Sequence, residues 1–467
     1  MSSSATSPFS SLCDLLARRG ATEAGQRAYT FLRDDGGTET LSYAELDSRA
    51  RAAASFLERN ARRGDRVLLV YPPGLEFLGA FFGCLYARVI PAPLPLPGIR
   101  SGFEKLVLVK EDTEARLALT TAAHLAEGRA GLRELAWEAI DASNEGASAG
   151  WEGQWPAADE LAYLQYTSGS TSVPRGVMLT HANVLHNLAN IDAGFEHGPE
   201  TVIVTWLPHF HDMGLIYGLL APLYGGFPCY AMAPASFVQR PLAWPQAITQ
   251  FRATHSGGPN FAYDLCVRRI PPADRAGLDL SSWEVAFNGA EPVHAETLER
   301  FSEAFSGCGF RRSAFYPAYG LAEASLKVSG GRKGEGPVIF AADAPCLTRS
   351  RVQEAVNGEA RLLVGCGRAG LDTRVEIVDP ETLSRAAGDE VGEIWVSGPG
   401  VARGYWNRPE ETKETFEAHI RNGGDGPFLR TGDLGFVRDG ELYIAGRLKD
   451  LIIIRGLNHH PSDIELT

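Results

Sequence analysis

Short apolar runs of strand length alternate with stretches of helical period along most of this chain, and that alternation limits the folds open to it. Arg66-Val67-Leu68-Leu69-Val70-Tyr71 is one such run. A helix over roughly residues 75–87 and a strand near Val89-Ile90 are expected next. The pattern restarts at Thr201-Val202-Ile203-Val204-Thr205-Trp206 and continues to about residue 320. Buried strands separated by helices build parallel sheets, because a parallel pair needs a long crossover. The longest apolar stretch, Leu75 to Pro97, holds Glu76, Arg88 and prolines at 91, 93, 95 and 97. It reads as a buried helix, a strand and a turn, not as a membrane span.

Ser42 and Glu45 form a capping box at the start of a helix. Residues Glu111–Leu135 read as helix-rich, and Ala142–Gly150 as an exposed loop. Beyond Val364 strands dominate, at 373–378, 392–396, 428–430, 435–437 and 441–444, separated by glycine-containing turns. We therefore expect a small β unit appended to two α/β units. The boundaries are an α/β unit over 1–200, a second over 201–365, a β-rich unit over 366–446 and a terminal segment over 447–467. The apolar run Leu451-Ile452-Ile453-Ile454 precedes Ser462-Asp463-Ile464-Glu465, which reads as a helix N-terminus. The expectation is that the chain is the large N-terminal part of a longer protein.

A length of 467 residues, 44% hydrophobic, supports several such units. A formal charge of −13 disfavours nucleic acid or an anionic membrane as partner, while leaving room for a local anion site. Seven widely spaced cysteines without a CxxC pair suggest neither a zinc site nor a disulfide framework. The N-terminus lacks a secretory signal, so a cytoplasmic location is expected.

Tyr166-Thr167-Ser168-Gly169-Ser170-Thr171-Ser172-Val173-Pro174-Arg175-Gly176 lies between two strand-like runs, and six of its first seven residues carry a hydroxyl. Small residues let backbone N–H groups approach an anion, hydroxyls add neutral donors and Arg175 adds a charged one. A polyphosphate suits this chemistry, although the Gly-Lys-Ser/Thr ending of a Walker loop is missing. A flexible surface linker is the plain alternative. Trp206-Leu207-Pro208-His209-Phe210-His211-Asp212-Met213-Gly214 follows a strand. Its two histidines and Asp212 have the residue types of a metal site but no further ligands, and we read a histidine beside a carboxylate pocket. Asn288-Gly289-Ala290-Glu291-Pro292 permits close approach of a flat ligand, or is an ordinary turn. Tyr316-Pro317-Ala318-Tyr319-Gly320-Leu321-Ala322-Glu323 offers a ring to stack on a base and a carboxylate for Mg²⁺, or a core tyrosine and a solvated glutamate. Arg430-Thr431-Gly432-Asp433 and Gly446-Arg447-Leu448-Lys449-Asp450 could hold ribose and phosphate, or be charged turns.

In order and spacing these segments resemble the adenylate-forming ligases (acyl-CoA synthetases, luciferases and nonribosomal-peptide adenylation domains) over the whole chain. Four features look like the fatty acyl-AMP ligases: Tyr166–Gly176 with Val177-Met178, Trp206-Leu207-Pro208 with His211-Asp212-Met213-Gly214, Pro259-Asn260-Phe261-Ala262, and Gly446–Asp450 with Ile453-Ile454-Arg455-Gly456 and Asn458-His459. The long segment between Glu323 and Arg374 resembles the insertion of that subfamily, placed here at about 330–365. Ser172 and Arg175 depart from the usual glycine and lysine, and fatty acyl-AMP ligases commonly lack that lysine.

The resemblance implies two α/β subdomains packed together, a smaller distorted β-barrel subdomain and a C-terminal domain beyond this chain. It implies ATP and Mg²⁺ as cofactors, a fatty acid as substrate, and an acyl carrier protein with phosphopantetheine as partner. Thr167, Ser168, Gly169, Ser170 and Thr171 would hold phosphates, and Thr171 with Glu323 would serve Mg²⁺. Tyr319 and Gly320 would lie against adenine, with Gly289, Ala290 and Glu291 along its edge. Asp433 and Arg447 would hold the ribose, His211 would stand where acyl group and phosphate meet, and Asp450 would be a hinge. His211, Glu323 and Arg447 are the catalytic candidates, and Trp206, Ile216, Leu219, Leu220 and Met232 the acyl-pocket candidates. This chain by itself is expected to bind acyl-AMP but turn over slowly. The rivals are an acyl-CoA ligase, an amino-acid-activating domain and a non-catalytic nucleotide-binding module.

Overall fold

The run at 66–71 forms strand β3 (Arg66–Val70), with Val67 to Val70 buried. The structure is a computed structural model that describes residues 7–97, 102–126, 135–141, 153–167, 173–356, 359–421, 425–454 and 457–459. Strands β4 (Ile90–Leu94) and β5 (Leu117–Thr120) flank β3 in parallel, and β6 (Ala136–Ala139) continues beyond β5. β4 contains Pro91 and Pro93, which have the same parity along the strand. Both missing N–H groups therefore face away from β3, and β4 tolerates them because it is the edge of this sheet. The expected helix-rich stretch at 111–135 is interrupted, because the four consecutive buried residues of β5 are worth more as a sheet neighbour to β3 than as a helix turn. Helix Glu76–Tyr86 packs on β3 and β4 and against helix Tyr43–Asn60, which begins in the Ser42–Glu45 capping box. The expected loop at 142–150 lies outside the described residues.

The second sheet has nine strands. β1 (Arg27–Leu32), β9 (Ile203–Thr205), β10 (Cys229–Met232), β11 (His255–Gly258), β12 (Val285–Asn288) and β13 (Phe315–Gly320) are parallel. β2 (Thr38–Ser42) closes one edge antiparallel to β1. At the other side β14 (Lys327–Gly330) pairs antiparallel with β13, and β17 (Arg368–Ala369) forms the edge, antiparallel to β14. This order crosses the boundaries drawn at 200 and 365, since β1 and β2 join strands of the second unit and β17 pairs with β14. Between β9 and β10, Met213–Leu220 winds as a π-helix.

Strands β18 (Arg374–Val378), β19 (Gly392–Ser397), β20 (Leu429–Arg438) and β21 (Glu441–Arg447) form an antiparallel sheet. β20 is one strand where two were expected. Gly432, at φ +71°, absorbs the irregularity read as a turn, and pairing resumes with Asp433 opposite Arg447. The hairpin of β15 (Ile339–Asp343) and β16 (Ala360–Val364) is tied to β21 through the Cys366 N–H, which donates to Leu442 O at 2.7 Å. β7 (Leu161–Thr167) and β8 (Arg175–Thr180) pair as a hairpin with Thr167 opposite Arg175. β8 is also bonded to the segment before Tyr405, Met178 N–H donating to Gly404 O at 2.9 Å. β22 (Ile452–Ile454) and β23 (Leu457–His459) form a last hairpin. Among the described residues no helix is long and apolar enough to cross a membrane.

Candidate active site

Because β9, β12 and β13 are parallel, the segments that leave their C-terminal ends emerge along one edge of the sheet. These are the segment running to His211, the Asn288-Gly289-Ala290 turn and Tyr319-Gly320. Crevices at strand C-termini are where open α/β sheets bind ligands. The β20–β21 ladder faces this edge, and between them lies a cavity of about 840 Å³. Thr167, His211, Gly289, Ala290, Tyr319, Gly320, Glu323 and Arg447 all stand on its wall. Ser168, Gly169, Ser170 and Thr171 lie outside the described residues.

One end is a directional polar network. The Tyr319 hydroxyl donates to Asp433 Oδ2 at 2.8 Å, and Arg447 Nε donates to Asp433 Oδ1 at 3.0 Å. Asp433 itself is buried and joins the wall residues Tyr319 and Arg447 from beside Gly432, which also lines the cavity. Burial raises its pKa, against the opposing pull of Arg447 and Tyr319. Gly432 lets the chain turn into Asp433. Its N–H donates to Glu393 Oε1 at 3.2 Å, while Arg430 donates to Glu393 Oε2 through two nitrogens at 2.8 and 3.0 Å. Glu291 is turned away from the cavity, where its expected place was along the adenine edge. Its Oε1 accepts the Phe261 N–H at 2.6 Å, at the start of helix Asn260–Arg269. Asp450 ends an exposed 3₁₀ turn directly after β21.

His211 sits between the two ends. Its Nδ1 lies 2.6 Å from Asp212 Oδ1, and that carboxylate raises the imidazole pKa above its ordinary value. The neighbouring His209 is different. Its ring is buried against Phe77 at 4.4 Å, and burial pushes its pKa down to about 4, as suits a neutral core side chain. Glu323 accepts from the Tyr405 hydroxyl at 2.8 Å, and burial raises its pKa. Arg175 pairs with Glu411 at 2.9 Å and lies 5.3 Å over the Tyr405 ring. Among the described residues no three His, Cys, Asp or Glu side chains gather to hold a metal by themselves. Of the carboxylates on the wall (Asp212, Glu323, Glu393 and Glu414), Glu323 is the one expected from the sequence to serve Mg²⁺, an ion usually held by one or two carboxylates plus substrate phosphates.

The other end is apolar. Ile191 and Phe195 of helix His181–Phe195, Met213 and Tyr217 of the π-helix, Phe287 and Leu326 line it. Trp206, Ile216, Leu219, Leu220 and Met232 are buried but do not line this cavity. Trp206 stacks on Phe237 at 4.2 Å. In the π-helix, with its wider turn, Met213 and Tyr217 share the cavity face and the leucines are left to the core. At the margin of this end stands Lys327, buried, with burial lowering its pKa to about 7.

Between Glu323 and Lys327 the chain turns at Ser325, with φ 67° and ψ −66° and the Leu326 N–H donating to Ala324 O at 2.9 Å. This is a three-residue turn of the strained hand. The buried Ser325 hydroxyl holds it by donating to Gly400 O at 2.7 Å.

Sequence reasoning missed Tyr405, Glu393 and Lys327. Glu393 and Lys327 each carried a signal, a lone charge inside an apolar strand-length run, which burial must match with a partner. Tyr405 lies in Gly404-Tyr405-Trp406-Asn407, whose only mark is an aromatic pair in a turn.

The family pattern of the AMP-binding enzymes matches residues 16–406. The chain is 47% identical over 474 residues to the medium-chain-fatty-acid–(acyl-carrier-protein) ligase JamA of Moorena producens, covering 98% of this chain and 80% of that protein. It is 38% identical to the 4-hydroxyphenylalkanoate adenylyltransferase of Mycobacterium tuberculosis, covering 98% and 77%. Among solved structures it is similar to the fatty acyl-adenylate ligase of L. pneumophila in complex with acyl adenylate and pyrophosphate. The TM-score is 0.90 and the identity 43%, over 98% of this chain and 81% of that one. With a cavity polar at one end and apolar at the other, and with these relatives over nearly its whole length, the chain belongs to the AMP-binding enzymes and, within them, to the fatty acyl-AMP ligases.

Proposed function

We propose that this chain joins a fatty acid to ATP, giving acyl-AMP and pyrophosphate, and that the acyl group then passes to the phosphopantetheine thiol of an acyl carrier protein. The observation that carries this reading is one cavity with the Tyr319–Asp433–Arg447 network at one end and an aromatic, apolar lining at the other. A nucleotide and an acyl chain fit that division. In the first step a carboxylate oxygen bonds to the α-phosphorus as the bond to the pyrophosphate oxygen breaks. Two anions must meet, so positioning and neutralised charge carry the catalysis. His211 stands on the wall beside Asp212, whose carboxylate raises its pKa, and is the group assigned to the point where acyl group and phosphate meet. Asp433 and Arg447 hold the ribose, and the Tyr319 ring lies against adenine. Glu323, with Thr171, would hold Mg²⁺, which when bound neutralises phosphate charge. In the second step the thiol sulfur bonds to the acyl carbon, AMP leaves, and the thiol proton goes to solvent.

The division at residues 200, 365 and 446 is kept in this proposal as a division along the sequence, with β1, β2 and β17 crossing it into the nine-stranded sheet and Asp450 as the hinge. Seven free cysteines suit a reducing, cytoplasmic setting. The test is calorimetric binding of dodecanoyl-sulfamoyl-adenosine, followed by fatty-acid-dependent ATP–pyrophosphate exchange with holo-carrier protein or CoA as acceptor. Saturable binding, slow exchange and transfer to the carrier but not to CoA are expected. Neither binding nor exchange with any fatty acid would remove the reading, and transfer to CoA would reassign the acceptor.

A further inference from the structure

A second cavity, of about 820 Å³, lies on the far side of β14 beneath the β15–β16 hairpin. Of the residues that line the two cavities, one lines both, and it is Lys327. Its Nζ stands 5.4 Å from the centre of the Phe195 ring, which lines the first cavity, and 5.7 Å from that of Tyr316, which lines the second. Nζ donates to Asn190 O at 3.0 Å, its one acceptor among the described residues. A protonated lysine has three donors, so this amine is held by packing more than by hydrogen bonds. Gly194 shows how closely it is fitted, because a Cβ there would lie 2.0 Å from Nζ. The first cavity is apolar where it meets Lys327, with Ile191, Phe195 and Phe287 around it. Beyond Lys327 the second cavity has Tyr316, Pro317 and Phe340 on its wall together with charged residues that include Arg332, Glu354, Arg368 and Glu441.

We propose that Lys327 is the stop at the end of the acyl pocket and sets the longest chain the pocket takes. The inference rests on the fatty acid adenylation proposed above. A chain shorter than the stop gains contact with each added carbon. A longer one must push a close-fitted amine out from between Phe195, Tyr316 and Gly194. A close-packed wall yields little to such an intrusion. Removing the side chain joins the pocket to the second cavity.

The experiment measures binding of acyl-sulfamoyl-adenosines, from hexanoyl to hexadecanoyl, to the unmutated chain, Lys327→Ala and Lys327→Met. In the unmutated chain affinity is expected to rise about fourfold per methylene up to a limiting length and to fall beyond it. Lys327→Ala is expected to move that limit outward by several carbons while short chains bind as before, and Lys327→Met to keep it. An unchanged limit in Lys327→Ala overturns the proposal and leaves adenylation standing. Failure of every analogue to bind the unmutated chain overturns the adenylation reading and this one with it. Should Lys327→Ala not fold, a limiting-length analogue with a diazirine on its last carbon decides the matter in the unmutated chain. Labelling of Lys327, Phe195 or Tyr316 supports the stop, and labelling confined to other residues overturns it.

Discussion

At the Asp433 end of the cavity, side chains from three strands are joined by hydrogen bonds at 2.8 and 3.0 Å, each with a required direction. At the Phe195 end, rings meet with centroids 4.5 to 6.0 Å apart, Tyr217 on Phe287 and Phe195 on Phe287, and no bond fixes their angle. The first end selects by geometry, and one lost group leaves its buried neighbours unpaired. The second selects by area and volume, and one lost group costs only its own contacts. The two ends should therefore fail differently, abruptly at the Asp433 end and gradually at the Phe195 end.

The largest effect is expected from Asp433→Ala. It removes the shared acceptor of Tyr319 and Arg447, and breaking an enclosed charge pair costs about 3–5 kcal/mol. Arg447 is half-exposed, which discounts this toward the lower figure. A loss of acyl-adenylate affinity of about a hundredfold by calorimetry is expected, and a loss below tenfold would erase the contrast between the ends.

A smaller effect concerns Lys327, the charged exception at the apolar end. Unfolded, this lysine keeps its proton to about pH 10. Folded, burial brings its pKa to about 7, so between those values the unfolded state binds more protons. Stability should then rise with pH across that window, by at most about 1.4 kcal/mol per pH unit. Lys327→Met lacks this term, so its stability relative to the unmutated chain should be highest near neutrality and decline toward alkaline pH. Urea unfolding of both proteins near pH 7 and near pH 9 checks this. A constant difference would mean that Lys327 stays charged and that the apolar end is more polar than its lining.

The smallest effects separate cavity wall from core. Ile191→Val is expected to weaken binding of the acyl analogue by less than tenfold, consistent with about 0.5–1.5 kcal/mol for one methylene. Leu219→Val, off the wall, is expected to lower thermal stability and leave the analogue's affinity unchanged. Weakened binding in Leu219→Val would return that residue to the pocket.

The same contrast governs what could be read from the amino acids. Tyr319, Arg447 and Gly289 sit at strand ends, and Asp433 follows the irregular Gly432 inside β20, places where local sequence decides both backbone and side-chain direction. They were legible together with the alternating α/β pattern that carries them. Phe195, Phe287 and Lys327 face the cavity only because a helix, a parallel strand and the antiparallel strand β14 converge there, and nothing local to each segment records that. Ile216, Leu219 and Leu220 were expected at the pocket because they are apolar and follow His211. The π-helix alters which residues share a face, a change that composition does not announce. β1 and β2 were assigned to the first unit by their place in the chain, and pairing with β10 puts them in the second sheet.

The Ser325 turn joins the carboxylate at one end of the cavity to the amine at the other through a single strained residue. Such a backbone conformation stores on the order of 1–3 kcal/mol and persists only while its surroundings insist on it. In the roles proposed for Glu323 and Lys327, phosphate handling and chain length share a hinge pin. A lineage adapting this enzyme to a longer acid has little freedom to remodel residues 323–327 without disturbing Glu323. Inherited differences in chain length should therefore accumulate across the cavity, on the Gly194–Phe195 face of the helix opposite.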